Sequence, residues 1–250
     1  MRAAADSPGR MDWSAEIKAR IRRRYARLAG GTDVPLAGAH GMREHGYPEA
    51  VIERVPPELA GAYSGCGFPL AGVSLASVRH AVDLGCGIGI DAWWAASEMA
   101  PGGTVVAVDM TAPMLRVLRP ASARGVPTGC LIFPVAGDLE RIPLASGIAD
   151  LVVANASFNL AVDKETAFEE AFRILKPGGR LAARDLVLEE ALPREVLEDP
   201  LADVTSLGGV VTEDELRHAI AGAGFADVQI ADHRPFSYVV SVQLNAVKPA

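Results

Sequence analysis

The chain predicts an α/β fold, a mostly parallel seven-stranded sheet with helices on both faces and a helical cap at its N-terminus. Two observations lead there. From Arg79 to about residue 187, apolar runs of strand length alternate with amphipathic runs of helix length, as they do when strands are joined by helical crossovers. Past that region two strand-like runs follow each other with no helix between, which pairs them antiparallel at one edge. The size allows it: 250 residues, half of them hydrophobic, can bury a substantial core.

Residues 1–12 are small and polar with Gly and Pro among them, and are expected to be disordered. Ser14–Leu28 puts Ile17, Ile21, Tyr25 and Leu28 on one helical face and stops at Gly30-Gly31. Thr32 to Pro57 reads as irregular, and Pro57–Ala62 as a short helix. Residues 1–70 are therefore assigned to the cap and 71–250 to the main domain. Strands are expected at His80–Leu84, Thr104–Asp109, Leu131–Ala136, Ile148–Ala154 and Arg180–Leu188, with helices at Asp91–Met99, Pro113–Arg119 and Lys164–Leu175 between them. Lys176-Pro177-Gly178-Gly179 should end the last helix and turn the chain into its strand. Thr212 followed by Glu215 marks a capping box for a helix to Ala223, and Val228–Ala231 and Tyr238–Ala246 complete the sheet.

Net charge is −7, which disfavours a nucleic-acid partner, and the basic run Arg20–Arg27 reads as a solvated helix face. Cys66, Cys86 and Cys130 lack metal-ligand spacing and form no even disulfide framework, so a reducing cytoplasm is expected and no metal. Neither a signal peptide nor a membrane-spanning run is evident. The expected partner is a small molecule, with the chain a monomer or homodimer.

The stretch Ala-Val-Asp-Leu-Gly-Cys-Gly-Ile-Gly-Ile-Asp, residues 81–91, joins the first strand of the alternating region to its helix. Its glycines let backbone approach a ligand, and the helix start offers free N–H groups. A dinucleotide fingerprint starting at Gly85 and Gly87 needs glycine at position 90, which is Ile90. Asp109 ends the second strand, where a carboxylate can accept from both ribose hydroxyls, and Asp138 follows the third, within reach of an adenine amino group. Taken singly, Asp109 also reads as a helix cap and Asp138 as a turn residue. With Asp83 beside the turn, three carboxylates stand at successive strand ends, where open α/β sheets hold ligands. A nucleoside with no pyrophosphate suits them: S-adenosylmethionine, leaving as S-adenosylhomocysteine.

Asp83–Gly89, Val108-Asp109-Met110, Gly137-Asp138-Leu139 and Leu175–Leu181 together resemble the ordered motifs of class I S-adenosylmethionine-dependent methyltransferases. The resemblance implies a Rossmann-like sheet of order 3-2-1-4-5-7-6. More narrowly, the chain is similar to the arsenite methyltransferases from about Ile17 to Val228, through Tyr63–Pro69, Val108–Thr111, Ala154–Leu160, Asp163-Lys164 and Ser206–Val210. It implies cofactor contacts from Tyr25, Asp83, Gly85, Cys86, Gly87 and Gly89, and from Asp109, Met110, Asp138, Leu139 and Asn155. Cys66, Ala156, Ser157, Phe158 and Ser206 would line the acceptor side.

The family binds arsenic through thiolates, and here Ala156 and Ser206 stand where its motifs carry cysteine. Cys66 remains, and one thiolate cannot make a trigonal sulfur site. The sequence therefore reads as a methyltransferase for a small organic molecule. Because no general base is committed, a soft nucleophile such as a thiol is favoured; His45 is a base candidate with no carboxylate at motif spacing. Two alternatives stand beside this reading: a metalloid methyltransferase with a reduced cysteine set, and a non-catalytic cofactor-binding regulator.

Overall fold

The computed structural model describes residues 13–31, 38–61, 63–193, 207 and 209–250. The expectation of disorder at 1–12, and the acceptor residue Ser206, lie outside the described residues. Four helices form the cap: α1 (Trp13–Ala29), α2 (Gly38–Glu44), α3 (Glu49–Arg54) and α4 (Pro57–Ala60). The alternating region follows as β1 (His80–Leu84), α5 (Ile90–Glu98), β2 (Thr104–Asp109), α6 (Ala112–Arg124), β3 (Leu131–Ala136), β4 (Ala149–Asn155), α7 (Lys164–Ile174) and β5 (Leu175–Leu188). A two-residue β6 (Val211–Thr212) leads into α8 (Glu213–Gly222), then β7 (Ala226–Phe236) and β8 (Val239–Val247).

The sheet runs β3-β2-β1-β4-β5-β8-β7, parallel as far as β5 and antiparallel from β5 to β8 to β7. Leaving β6 aside, that is the expected order 3-2-1-4-5-7-6. The short β6 is an eighth, unexpected strand, paired in parallel with the end of β5 beyond the reach of β4.

Four other differences from the sequence reading have identifiable physical causes. The segment expected to be irregular contains α2 and α3. Helices of six and seven residues are marginal alone, and these two hold through packing, with Met42 and Val51 wholly buried. α6 continues through Pro120 to Arg124, because the carbonyl that loses its donor belongs to exposed Arg116, where water can serve it. The Lys176–Gly179 turn is drawn into β5 as a bulge between Leu175 and Arg180, with Gly178 at φ +76°. β7 is longer than its alternation suggested, since two register shifts and the positive φ of Asp227 and Asp232 break the period of two. The predicted capping box is present: Glu215 N–H donates to Thr212 Oγ1, and Thr212 N–H to Glu215 Oε2.

Two apolar layers flank the sheet. On one side Ala81, Val105 and Leu151 pack with α5, α6 and the cap residues Met42, Tyr47, Val51 and Leu59. On the other, Val82, Leu84, Val108 and Val152 pack with α7 and α8. The alternation of Ala81 and Val82 between layers follows from the pleat. None of the described helices is long and apolar enough to cross a membrane. At the centre of the second layer the fully buried rings of Phe158 and Phe168 stack with centroids 4.1 Å apart. Phe168→Ala is expected to cost about 3–5 kcal/mol of unfolding free energy, read as a lower urea midpoint at constant m-value.

Candidate active site

The parallel register brings the ends of β1, β2 and β4 level, pairing Leu84 with Val108 and with Ala154. The next residues, Gly85, Asp109 and Asn155, therefore converge at one edge of the sheet. Gly85 and Cys86 donate their N–H groups to Val108 O at 2.8 and 3.0 Å, which curls the turn back over β2. Gly85, Gly87 and Gly89 all have positive φ. A side chain at Gly85 would collide with Ser157, whereas nothing stands within 4 Å of one built at Gly87. Gly87 is thus the point where the turn leaves room for a ligand.

Two adjoining cavities, one larger than the other, share Ser64, Gly85, Gly87 and Asn155 and form one cleft. The larger lies over β2 and β3. Asp109 Oδ2 accepts from Gly87 N–H at 2.9 Å, and Oδ1 from Thr111 N–H at 2.7 Å. Each oxygen keeps acceptor capacity for a hydroxyl. Asp138 and Leu139 line the same cavity, and α1 roofs it with Lys18, Ile21 and Tyr25. Lys18 Nζ bridges Asp138 Oδ2 at 2.8 Å and Glu140 Oε2 at 2.6 Å. Burial pulls the Lys18 pKa down, but these two partners outweigh it and leave it above the ordinary value.

The smaller cavity lies over β1 and the start of α5, against Tyr47 and Tyr63 from the cap. Asp91 Oδ1 accepts from Tyr47 Oη–H at 2.8 Å and Oδ2 from Asn155 Nδ2–H at 2.9 Å. The Asn155 amide also donates to Gly67 O at 2.8 Å and accepts from Cys66 N–H at 2.9 Å, which fixes the Gly65–Gly67 loop to the cleft. Asp83 Oδ2 is buried and has no hydrogen-bond partner among the described residues. Burial, reinforced by neighbouring Asp91, holds the Asp83 pKa well above the carboxylate range, and burial pushes Asp91 up to about 6.

Of the expected cofactor residues, Tyr25, Asp83, Gly85, Cys86, Gly87, Asp109, Met110, Asp138, Leu139 and Asn155 line this cleft. Gly89 lies behind it, capping α5 with Leu118 packed against its Cα. On the acceptor side Ala156 and Ser157 face the cleft. Phe158 corrects the sequence reading: its stacking on Phe168 turns it into the core. Cys66 is buried in an apolar cluster with Ala156, Leu186, Val210 and Val239, and burial pushes its thiol well up from the ordinary value. Among the described residues no three His, Cys, Asp or Glu side chains are grouped to hold a metal. Asp91, Tyr47 and Lys18 escaped the sequence reading. Asp91 carried a usable signal, an acid in the first turn after a glycine loop; the other two carried none.

A family model described as a methyltransferase domain matches residues 76–224, more than half of the chain. The chain belongs to the S-adenosylmethionine-dependent methyltransferases. Among curated relatives, this methyltransferase is 31% identical to an arsenite methyltransferase of Halobacterium salinarum over 94% of its own length and 67% of the relative's. It is 32% identical to an arsenite methyltransferase of Aquipseudomonas alcaligenes, over 75% of its own length and 55% of the relative's. Among solved structures, an arsenic(III) S-adenosylmethionine methyltransferase from Chlamydomonas reinhardtii superimposes with a TM-score of 0.69 at 26% identity, covering 81% of this chain and 73% of that one.

S-adenosylmethionine is the family's methyl donor, and the cleft fits it. The buried Asp83 Oδ2, without a hydrogen-bond partner among the described residues, suits the methionine ammonium, whose charge favours the ionised carboxyl; the open face of Gly87 admits a ligand, and Asp109 has capacity for ribose hydroxyls. When bound, the cofactor supplies an electrophilic methyl group. Asp109→Ala is expected to weaken S-adenosylmethionine binding about 10- to 100-fold by titration calorimetry, the worth of a charged hydrogen bond. An unchanged Kd would leave Asp109 a mere tie for the turn. A second expectation concerns pH. Because Asp91 titrates near 6 when folded and near 3.8 when not, the ligand-free fold holds the extra proton, and its stability falls as pH rises between those values. A cationic ligand favours the ionised form, so the rise in Tm on adding S-adenosylmethionine should grow from pH 5 to 7 and flatten in Asp91→Asn.

Proposed function

We propose that the protein transfers a methyl group from S-adenosylmethionine to a small organic nucleophile seated between the Gly65–Gly67 loop and the loop after β4. In this reading Asp109 takes the ribose hydroxyls, Asp138 and Leu139 flank the adenine, and Asp83, with Asp91 behind it, meets the methionine ammonium. The observation that carries it is the state of Cys66, which is buried and lines neither cavity of the cleft. Cys66 is enclosed by Ala156, Leu186, Val210 and Val239, and its thiol is held protonated by burial. A buried thiol held neutral is a poor ligand for trivalent arsenic; what the cleft offers an acceptor beside it is Ser64, Ala156 and Ser157. Methyl transfer to such an acceptor rests mainly on positioning. A thiol acceptor needs the least help in losing its proton.

The arsenite methyltransferases among the relatives keep a second reading in play, metalloid methylation through Cys66 alone. One assay separates the two. Purified protein is incubated with methyl-labelled S-adenosylmethionine and either arsenite with excess thiol or a panel of thiols, phenols and amines. Label is expected in an organic product and not in methylarsenic. Methylarsenic formed by the wild type and lost in Cys66→Ser would establish the metalloid reading. Cofactor binding with no transfer to any acceptor would point to the regulator.

A further inference from the structure

His45 belongs to no cofactor motif, yet it stands where the cleft meets the cluster around Cys66. α2 ends at Glu44, and the chain turns at Gly46 with φ +80°, the Arg234 guanidinium filling the space a side chain there would need. The half-buried His45 ring is thereby set between Tyr63 and Phe236, its centroid 5.6 and 4.8 Å from theirs. Its Nδ1 lies 3.2 Å from Tyr63 Oη. Tyr63 lines the smaller cavity beside Gly85 and Asn155, whereas Phe236 packs against the cluster around Cys66 and Ala156. One neighbour belongs to the donor cleft and the other to that cluster.

We propose that Tyr63 and His45 form a proton relay for the acceptor, and that the acceptor is an uncharged, phenol-type hydroxyl compound. The inference rests on the small organic acceptor argued above and narrows its class. As the acceptor oxygen's electron pair forms the bond to the methyl carbon, the C–S bonding pair stays on the donor's sulfur. The hydroxyl proton passes to Tyr63 Oη, the Tyr63 proton passes to His45 Nδ1, and the imidazolium returns its proton to solvent through the half-exposed ring. Tyr63 ends as it began; His45 is the positioning and proton-holding residue behind it.

The surroundings suit these roles. Burial raises the Tyr63 pKa, so the phenol stays protonated and conducts a proton without giving one up alone. Burial lowers the His45 pKa, leaving the imidazole neutral and able to accept at pH 7. The ring is faced by the Tyr63 hydroxyl, the Gly65 carbonyl, the Phe236 ring and, more distantly, the Glu44 carboxylate, with Arg234 reaching the adjacent Gly46. An amine arriving as ammonium would need a free carboxylate there, and the carboxylate that reaches the Cys66 cluster, Asp185, is already engaged by the N–H groups of Phe158, Asn159 and Leu186. A thiol ionises near neutral pH with little help, so a relay matters most for a weakly acidic hydroxyl.

The test compares wild type, His45→Gln and Tyr63→Phe with phenol, 4-nitrophenol and thiophenol as acceptors. With phenol at pH 7, kcat of each variant is expected to fall about 100-fold, with KM and S-adenosylmethionine Kd unchanged. The loss should shrink as pH approaches the ionisation of phenol, and 4-nitrophenol and thiophenol should lose little. Equal losses on all three acceptors at every pH, or no loss on phenol, would overturn the relay. NMR titration of the His45 ring gives a readout free of turnover. Tyr63→Phe should shift that titration, and an unshifted His45 refutes the pairing whatever is methylated. Should the wild type methylate none of the three, the phenol-type acceptor is overturned even where His45 shifts, and the wider reading is decided separately by the panel of thiols, phenols and amines.

Discussion

The structure depends on a single electrostatic constraint: carboxylates gathered out of water where two parallel strands end and α5 begins. Asp83, Asp91 and Asp109 are all buried, and burial raises the pKa of each. Such groups are costly unless hydrogen-bonded or met by a cation. The cap meets part of the cost, since Tyr47 from the α2–α3 turn donates to Asp91, and Lys18 from α1 adds ion pairs to the less buried Asp138 and Glu140. What remains unpartnered, Asp83 Oδ2, lies in the smaller cavity's wall. Cap and sheet are thus joined by charge as well as by the apolar layer they share.

Asn155 carries this order to the acceptor side. Its side chain bonds to Asp91, Tyr47, Gly67 O and Cys66 N–H, so one amide joins the buried Asp91 carboxylate to the loop that bears Cys66. A second strut holds the same loop from behind. Buried Arg184 donates to Asp232 and Ser241, and Ser241 donates to Cys66 O at 2.7 Å. The loop is held at fixed distance from the cleft by contacts that do not involve the Cys66 thiol. The acceptor chemistry can therefore change by substitution at positions such as 156 while the donor half stays intact.

The sheet was legible because its signals are local. His80–Leu84, Thr104–Asp109 and Leu131–Ala136 were placed to the residue by apolar runs between turn residues. Strand-end carboxylates were legible too, because the ends of parallel strands must meet at one edge. What the chain concealed depends on contacts between distant residues. Lys18 reaches Asp138 across 120 positions, and Tyr47 reaches Asp91 across 44. α2 and α3 are helical because Met42 and Val51 are covered, which no six-residue window reveals. Phe158 was misplaced for the opposite reason: a motif says which residues are near a site, and only the pleat and Phe168 decide which way a ring turns.

The roof over the larger cavity is held by the buried Ile21 and Leu28 of α1 and, at its rim, by one ammonium lying between two carboxylates. Such a fastening answers to ionic strength more than an apolar contact does, because salt screens charge and leaves apolar packing largely untouched. The walls of the cleft, built on strands and a shared core, would keep their form in brine and in dilute buffer alike. The latch is the part of the cleft most open to screening, and even it is partly sheltered by its own burial.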